Sequence, residues 1–124
     1  MAYKCAACGH QHSLTVKASI DLPADSRSDE IALQIIQCAS CGFRGIAVYA
    51  ESHRGALDDD SFEHVGYFSD EKSVNKLAGL IKKCPESHNK RCFCQAHQVL
   101  GITDRSGRWH GLSLFEHHDP FGIG

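Results

Sequence analysis

The sequence predicts a small α+β domain: three N-terminal β-strands, one amphipathic helix and a C-terminal β-hairpin. Three observations carry that prediction. Two Cys-x2-Cys-Gly motifs, Cys5-Ala-Ala-Cys8-Gly9 and Cys38-Ala-Ser-Cys41-Gly42, are each followed by a β-like run. Apolar residues recur at helical spacing between Ser69 and Cys84. Two short β-like runs flank the turn-forming stretch Asp104-Arg105-Ser106-Gly107. The 124 residues are expected to make a single small domain, with parts at 3–51 and 52–116 and a flexible tail at 117–124.

The paired motifs point to metal. Two residues between cysteines let the backbone curl until both sulfurs face one ion, and the following glycine tolerates the positive φ on which such a curl ends. One Cys-x2-Cys could serve as a redox dithiol. Two copies, each followed by glycine, supply the four thiolates of one closed tetrahedral site, Cys5, Cys8, Cys38 and Cys41. A domain of this size buries only a modest core, so a metal clip contributes materially to its stability. Seven cysteines with no apolar leader at the N-terminus read as metal ligands in a reducing compartment, and the expected location is cytoplasmic. No apolar run approaches the ~18 residues that a membrane span needs, so no membrane partner is expected.

Leu14, Val16, Ala18 and Ile20 alternate with polar residues and predict a half-buried strand with those four on one face. A polar, turn-rich loop follows at Asp21–Glu30, then strands at Ile31–Gln37 and Gly45–Ala50. With the motifs CAACG and CASCGFRG, this order over residues 3–51 resembles the zinc-ribbon group. The resemblance implies a structural zinc and a binding module. One departure is the interval of 29 residues between Cys8 and Cys38, longer than the usual ~15–20. The acidic loop at Asp21–Glu30 absorbs the excess and disfavours nucleic-acid contact there.

Residues 52–68 read as loop at Arg54-Gly55 and as a solvated acidic turn at Asp58-Asp59-Asp60, then an apolar-aromatic patch of Phe62, Val65, Tyr67 and Phe68. Ser69 is a suitable N-cap, Asp70 and Glu71 suit the positive end of the helix dipole, and Lys82 and Lys83 suit the negative end. Val74, Leu77, Ala78 and Ile81 form the apolar stripe, with Lys72, Lys76 and Lys83 opposite, and Pro85 ends the helix at Cys84. Gln98–Thr103 and Trp109–Phe115 are the two runs of the expected hairpin.

Five metal-binding side chains fall between Cys84 and His97: Cys84, His88, Cys92, Cys94 and His97. Zinc accepts mixed thiolate and imidazole sets. The expected second site is Cys84, Cys92, Cys94 and His97, with His88 the alternative imidazole. Two zinc ions are therefore expected, with a single iron in the four-cysteine site the alternative.

Three function classes follow. A zinc-stabilised binding module fits the knuckles and the absence of a catalytic motif, and no catalytic residue is assigned. The net charge is -4 over residues 1–68 and +2 over 69–124, so a protein partner is favoured over nucleic acid. The alternative is a hydrolase-like metalloenzyme with an open zinc position in the Cys84–His97 cluster and Glu86 or His88 as general base. The third class is redox or metal handling through Cys92-Phe93-Cys94. No feature of the sequence selects an oligomeric state.

Overall fold

A computed structural model describes residues 3–52 and 61–123. Its centre is one antiparallel sheet of five strands in the order β1-β2-β3-β4-β5, each paired with its neighbours along the chain. The strands are β1 (Leu14–Leu22), β2 (Glu30–Cys38), β3 (Arg44–Ser52), β4 (Ser61–Phe68) and β5 (His118–Gly122). Helix α1 (Glu71–Lys83), helix α2 (Gln95–Leu100) and a 3-10 turn (Gly111–Leu114) lie between β4 and β5. The expected fold, a three-stranded ribbon with one helix and a C-terminal hairpin, is therefore corrected. The first three strands belong to a larger sheet, and two helices replace one.

The extra strands come from segments without amphipathic alternation. In β4, Phe62, His64, Gly66 and Phe68 alternate with Glu63, Val65 and Tyr67, so aromatic side chains fall on both faces. Backbone pairing with β3, from Ser52 opposite Ser61 to Gly45 opposite Phe68, fixes the strand all the same. The tail expected to be flexible is β5, which pairs with β4 at Gly66–Phe121 and Phe68–His118. Pro120 is tolerated because β5 is an edge strand. The Arg54-Gly55 loop and the acidic triplet Asp58–Asp60 lie outside the described residues.

β1 departs from its simple alternation. A bulge between Val16 and Ala18 inserts one residue and switches the facing of the strand. Ala18 and Ile20 pack with Leu33, Ile35, Ile46 and the α1 side chains, whereas Leu14 and Val16 pack with Cys5, Ile36, Cys38 and Ala47. The four residues expected on one face are thus divided between two cores. β2 serves both, sending Ile31, Leu33 and Ile35 to the helix-covered core and Ile36 and Cys38 to the other.

Helix α1 buries Val74, Leu77 and Ile81 against the sheet, and the cap at its end is Cys84. Its N-cap is Asp70 rather than Ser69: the Asp70 carboxylate accepts the Ser73 N–H at 2.9 Å, while the Ser69 hydroxyl donates to the Glu116 carbonyl. Of the lysine stripe, Lys76 lies 5.8 Å from the centre of the Phe115 ring.

The expected hairpin reduces to one bridge, Thr103 with Trp109. Gln98 to Leu100 instead belong to α2, whose buried Ala96, His97 and Leu100 follow helical spacing. Trp109 locks this arrangement. Its indole N–H donates to the Leu100 carbonyl at 2.7 Å, and its backbone N–H donates to the Asp25 carboxylate at 2.7 Å. Asp25 also accepts the N–H groups of Arg27 and Ser28, so the Asp21–Glu30 loop is docked on the C-terminal segment. Burial alone would raise the Asp25 pKa, but the Trp109, Arg27 and Ser28 amides outweigh it, and the carboxylate is held below its ordinary value.

Candidate metal centres

The first centre is built from two matching turns. Gly9 N–H donates to the Cys5 carbonyl and Gly42 N–H to the Cys38 carbonyl, at 2.8 and 3.1 Å. Cys5 N–H donates to His10 O, and Cys38 N–H to Phe43 O, so both turns close in the same way. Gly9 and Gly42 have φ of 74° and 77°, the left-handed conformation that glycine adopts without penalty. The first cysteine of each turn is buried and the second exposed.

All seven cysteines are free thiols. The donor atoms of Cys5, Cys8, Cys38 and Cys41 lie within 4.8 Å of one another. Cys5 Sγ is 3.8 Å from Cys41 Sγ, and Cys8 Sγ is 3.8 Å from Cys38 Sγ. Four thiolates about 2.3 Å from a central ion have tetrahedral edges of about 3.8 Å, and the two measured pairs match that length. A disulfide needs sulfurs about 2.05 Å apart.

The second centre joins the end of α1 to the start of α2. Cys84 caps α1, Cys94 caps α2 and His97 stands in the first turn of α2. Cys84, Cys92, Cys94 and His97 again place one donor atom each within 4.8 Å of the others. Cys84 Sγ is 3.9 Å from Cys92 Sγ, and His97 Nδ1 is 3.3 Å from Cys84 Sγ and 3.2 Å from Cys94 Sγ. The last two are a few tenths of an ångström shorter than the ~3.6 Å edge of a thiolate–imidazole pair around one ion.

The tautomer of His97 follows from its other nitrogen. Nε2 lies 2.9 Å from the carbonyl oxygen of Asp21, which can only accept, so Nε2 carries the proton. Nδ1 then presents its lone pair to the sulfurs. This is how a second interaction orients an imidazole toward a metal. His97 is 4% exposed. His88 stands apart: its side chain is 77% exposed and its Nδ1 lies 3.6 Å from the Asp21 carboxylate. Glu86 is engaged with Asn89 Nδ2 at 3.1 Å, within the same loop.

Each cluster holds one thiol of raised acidity, Cys38 or Cys94, and one that strongly resists ionisation, Cys41 or Cys84. The contact with Ser13 Oγ brings Cys38 down to about 6, helped by the Cys41 and Ser40 amides against the opposing effect of burial. Burial opposes ionisation of Cys94, but the His97 backbone N–H and the neighbouring Cys84 and Cys92 thiols bring this thiol down to about 6. Cys41 is pushed up to about 12: the Phe43 amide favours its thiolate, but burial and the three neighbouring sulfurs outweigh it. Burial, then Cys94, pushes Cys84 up to about 11. Crowded sulfurs cannot all ionise unless a cation joins them, so each cluster is a donor set that a metal ion completes.

Ser13 and Asp21 were not legible as parts of these centres. Ser13 Oγ lies 3.2 Å from Cys38 Sγ, 25 positions away, and Asp21 reaches His97 across 76 positions. Neither contact leaves a local signature.

Comparison with family models, curated proteins and solved structures gives no match to this chain. Its two clusters, Cys5/Cys8/Cys38/Cys41 and Cys84/Cys92/Cys94/His97, could each hold a metal ion, and the first is consistent with a zinc-ribbon-like N-terminal segment. Among the described residues, no helix is long and apolar enough to cross a membrane.

Proposed function

We propose that this protein is a zinc-stabilised binding module in which both ions are structural and the partner is a protein. The observation that carries the reading is the closure of both donor sets: four protein ligands converge at each centre. A catalytic zinc keeps one position for water or substrate, whereas a structural zinc is enclosed by four protein ligands. The hydrolase-like alternative needs such an open position and a nearby base, Glu86 or His88; Glu86 accepts a hydrogen bond from Asn89, and the exposed His88 faces the Asp21 carboxylate. Lys76 is drawn toward Phe115, which weakens the helix stripe as a phosphate-binding surface.

Anaerobic metal analysis paired with oligonucleotide titration tests this reading. The expected outcome is two zinc ions per chain, a colourless sample, and weak binding of duplex and single-stranded oligonucleotides at physiological salt. Charge reversal at Lys72, Lys76 and Lys83 should leave that weak binding unchanged. Red colour with iron in the four-cysteine centre would replace zinc in the proposal. Tight, salt-sensitive binding abolished by the three reversals would replace the protein partner with nucleic acid.

A further inference from the structure

Cys92 and Cys94 turn their sulfurs into one donor cluster, and the side chain between them is turned away from it. That side chain is Phe93, 88% exposed. Phe62 is 69% exposed but stacks on Tyr49, whereas Phe93 meets no other ring among the described residues.

A single exposed aromatic residue needs no explanation on its own. Phe93 is set apart by its surroundings. The backbone is tied on both sides of it. Gln98 Nε2 donates to the Phe93 carbonyl at 2.9 Å, Cys92 N–H to the Asn89 carbonyl at 3.0 Å, and His97 N–H to Cys94 Sγ at 3.4 Å. An aromatic ring presented from fixed backbone loses little freedom on binding, which suits an interface anchor.

Beside the ring lies a hollow of about 240 Å³, mainly apolar, with Pro23, Cys92, Phe93 and Gly101 in its wall. Pockets for whole small molecules run to ~300–1,000 Å³, so this one suits a single side chain of a larger partner. Its charge has one sign. Lys90 and Arg91 line it, and no Asp or Glu does. The stretch from Ser87 to Thr103 contains no acidic residue. Both cations also border the cleft on the other side of the loop, where Asp21 and Glu30 lie. Because they line the hollow as well, a partner seated in it meets their charge within the ~8 Å over which surface charges act at physiological salt.

We infer that this surface docks a protein segment carrying an apolar side chain next to one or more carboxylates. The apolar side chain enters the hollow against the Phe93 ring, and the carboxylates face Lys90 and Arg91. The inference rests on the reading that the partner is a protein, and it adds where that partner docks and with what chemistry. A nucleic-acid strand also offers flat rings and anions, but it carries a phosphate at every nucleotide. Behind Pro23, the segment Asp21–Glu30 sets Asp21, Asp25, Asp29 and Glu30 against Arg27, a net charge of -3 that opposes a continued line of phosphates.

The test is selection of random dodecapeptides displayed on phage against the zinc-loaded full chain, with affinities then measured on the enriched peptides. Those peptides should share an apolar or aromatic residue flanked by Asp or Glu, and their binding should weaken as salt is raised. Affinity should fall about tenfold or more in Phe93→Ser and severalfold in Lys90→Ala/Arg91→Ala. None of these three residues belongs to a donor cluster, so metal count and Trp109 emission, read on the same samples, should not change. If Phe93→Ser alters the metal count, the double variant decides alone. The inference fails if no peptide is enriched, if the enriched peptides lack Asp and Glu, or if the deciding variant keeps full affinity. Peptides that bind equally well without Phe93 would place docking elsewhere and leave the protein-partner reading standing. Binding of single-stranded oligonucleotides that is lost in Phe93→Ser, with no peptide enriched, would overturn both.

Discussion

His97 is fixed from both sides of its ring. Asp21 O accepts a hydrogen bond from Nε2–H, and Cys84 and Cys94 present sulfurs to Nδ1. Removing the imidazole leaves three crowded thiols, two of them with strongly shifted and opposite acidities. At limiting zinc, His97→Ala should bring the count from two ions per chain to one, and His88→Ala should leave it at two. Anaerobic metal analysis of the two variants checks this, and the opposite result would make His88 the ligand. Acidity gives the same residues a pH dependence. Metal binds thiolates, so protonation competes with it, and apparent affinity must fall as pH falls. The slope should steepen below about pH 6, where Cys38 and Cys94 take up protons in the metal-free protein and each must be displaced as well. Chelator competition across pH 5–8 measures that slope.

At the level of elements, the last strand is attached by a glycine. A Cβ on Gly66 would fall 2.5 Å from two atoms of the Phe121 ring, so the ring lies directly over bare backbone. Phe121 in turn meets Phe43 and Phe68, which tie β5 to the second core. Gly66→Val should displace the ring, release β5 and cost about 1–3 kcal/mol, the usual range for overpacking. Loss of hydrogen-exchange protection at Phe121 and Ile123, with the metal count unchanged, is the expected signature. Retained protection would show that β5 is held by its backbone ladder alone. The same comparison explains why β5 was missed. Its sequence, His-Asp-Pro-Phe-Gly, lacks alternation, and the strand exists because β4 offers an edge and Gly66 offers room.

Across the whole molecule, the two centres clip different parts of one sheet. The first joins the segment before β1 to the β2–β3 connection. The second joins the α1 end, the following loop and α2, and Asp21 anchors this assembly to the outer edge of β1 through its N–H and its carbonyl. The single tryptophan reports on the second centre, because the Trp109 indole bonds to Leu100 at the end of α2. Cys92→Ser should shift Trp109 emission to the red while the first centre keeps its metal. Cys38→Ser should lower the melting temperature with little change in emission from the folded protein. Strong chelation should produce both effects, since metal binding and folding are coupled in small domains. Emission that responds equally to both substitutions would mean that the centres unfold as one unit.

Local chemistry was enough for the paired Cys-x2-Cys-Gly turns, the first three strands, helix α1 and the grouping of Cys84, Cys92, Cys94 and His97. Each depends on near neighbours: a two-residue spacing, an alternation, or a 3.6-residue repeat. The bulge after Val16, the conversion of Gln98–Leu100 from strand to helix and the recruitment of residues 118–122 depend on distant partners. Cys94 and Trp109 define the ends of α2, and an unpaired β4 edge receives β5. The sequence by itself determined that this chain carries two sets of soft ligands. Tertiary structure decided which imidazole turns inward, because the carbonyl that orients His97 belongs to Asp21, on the outermost strand of the sheet.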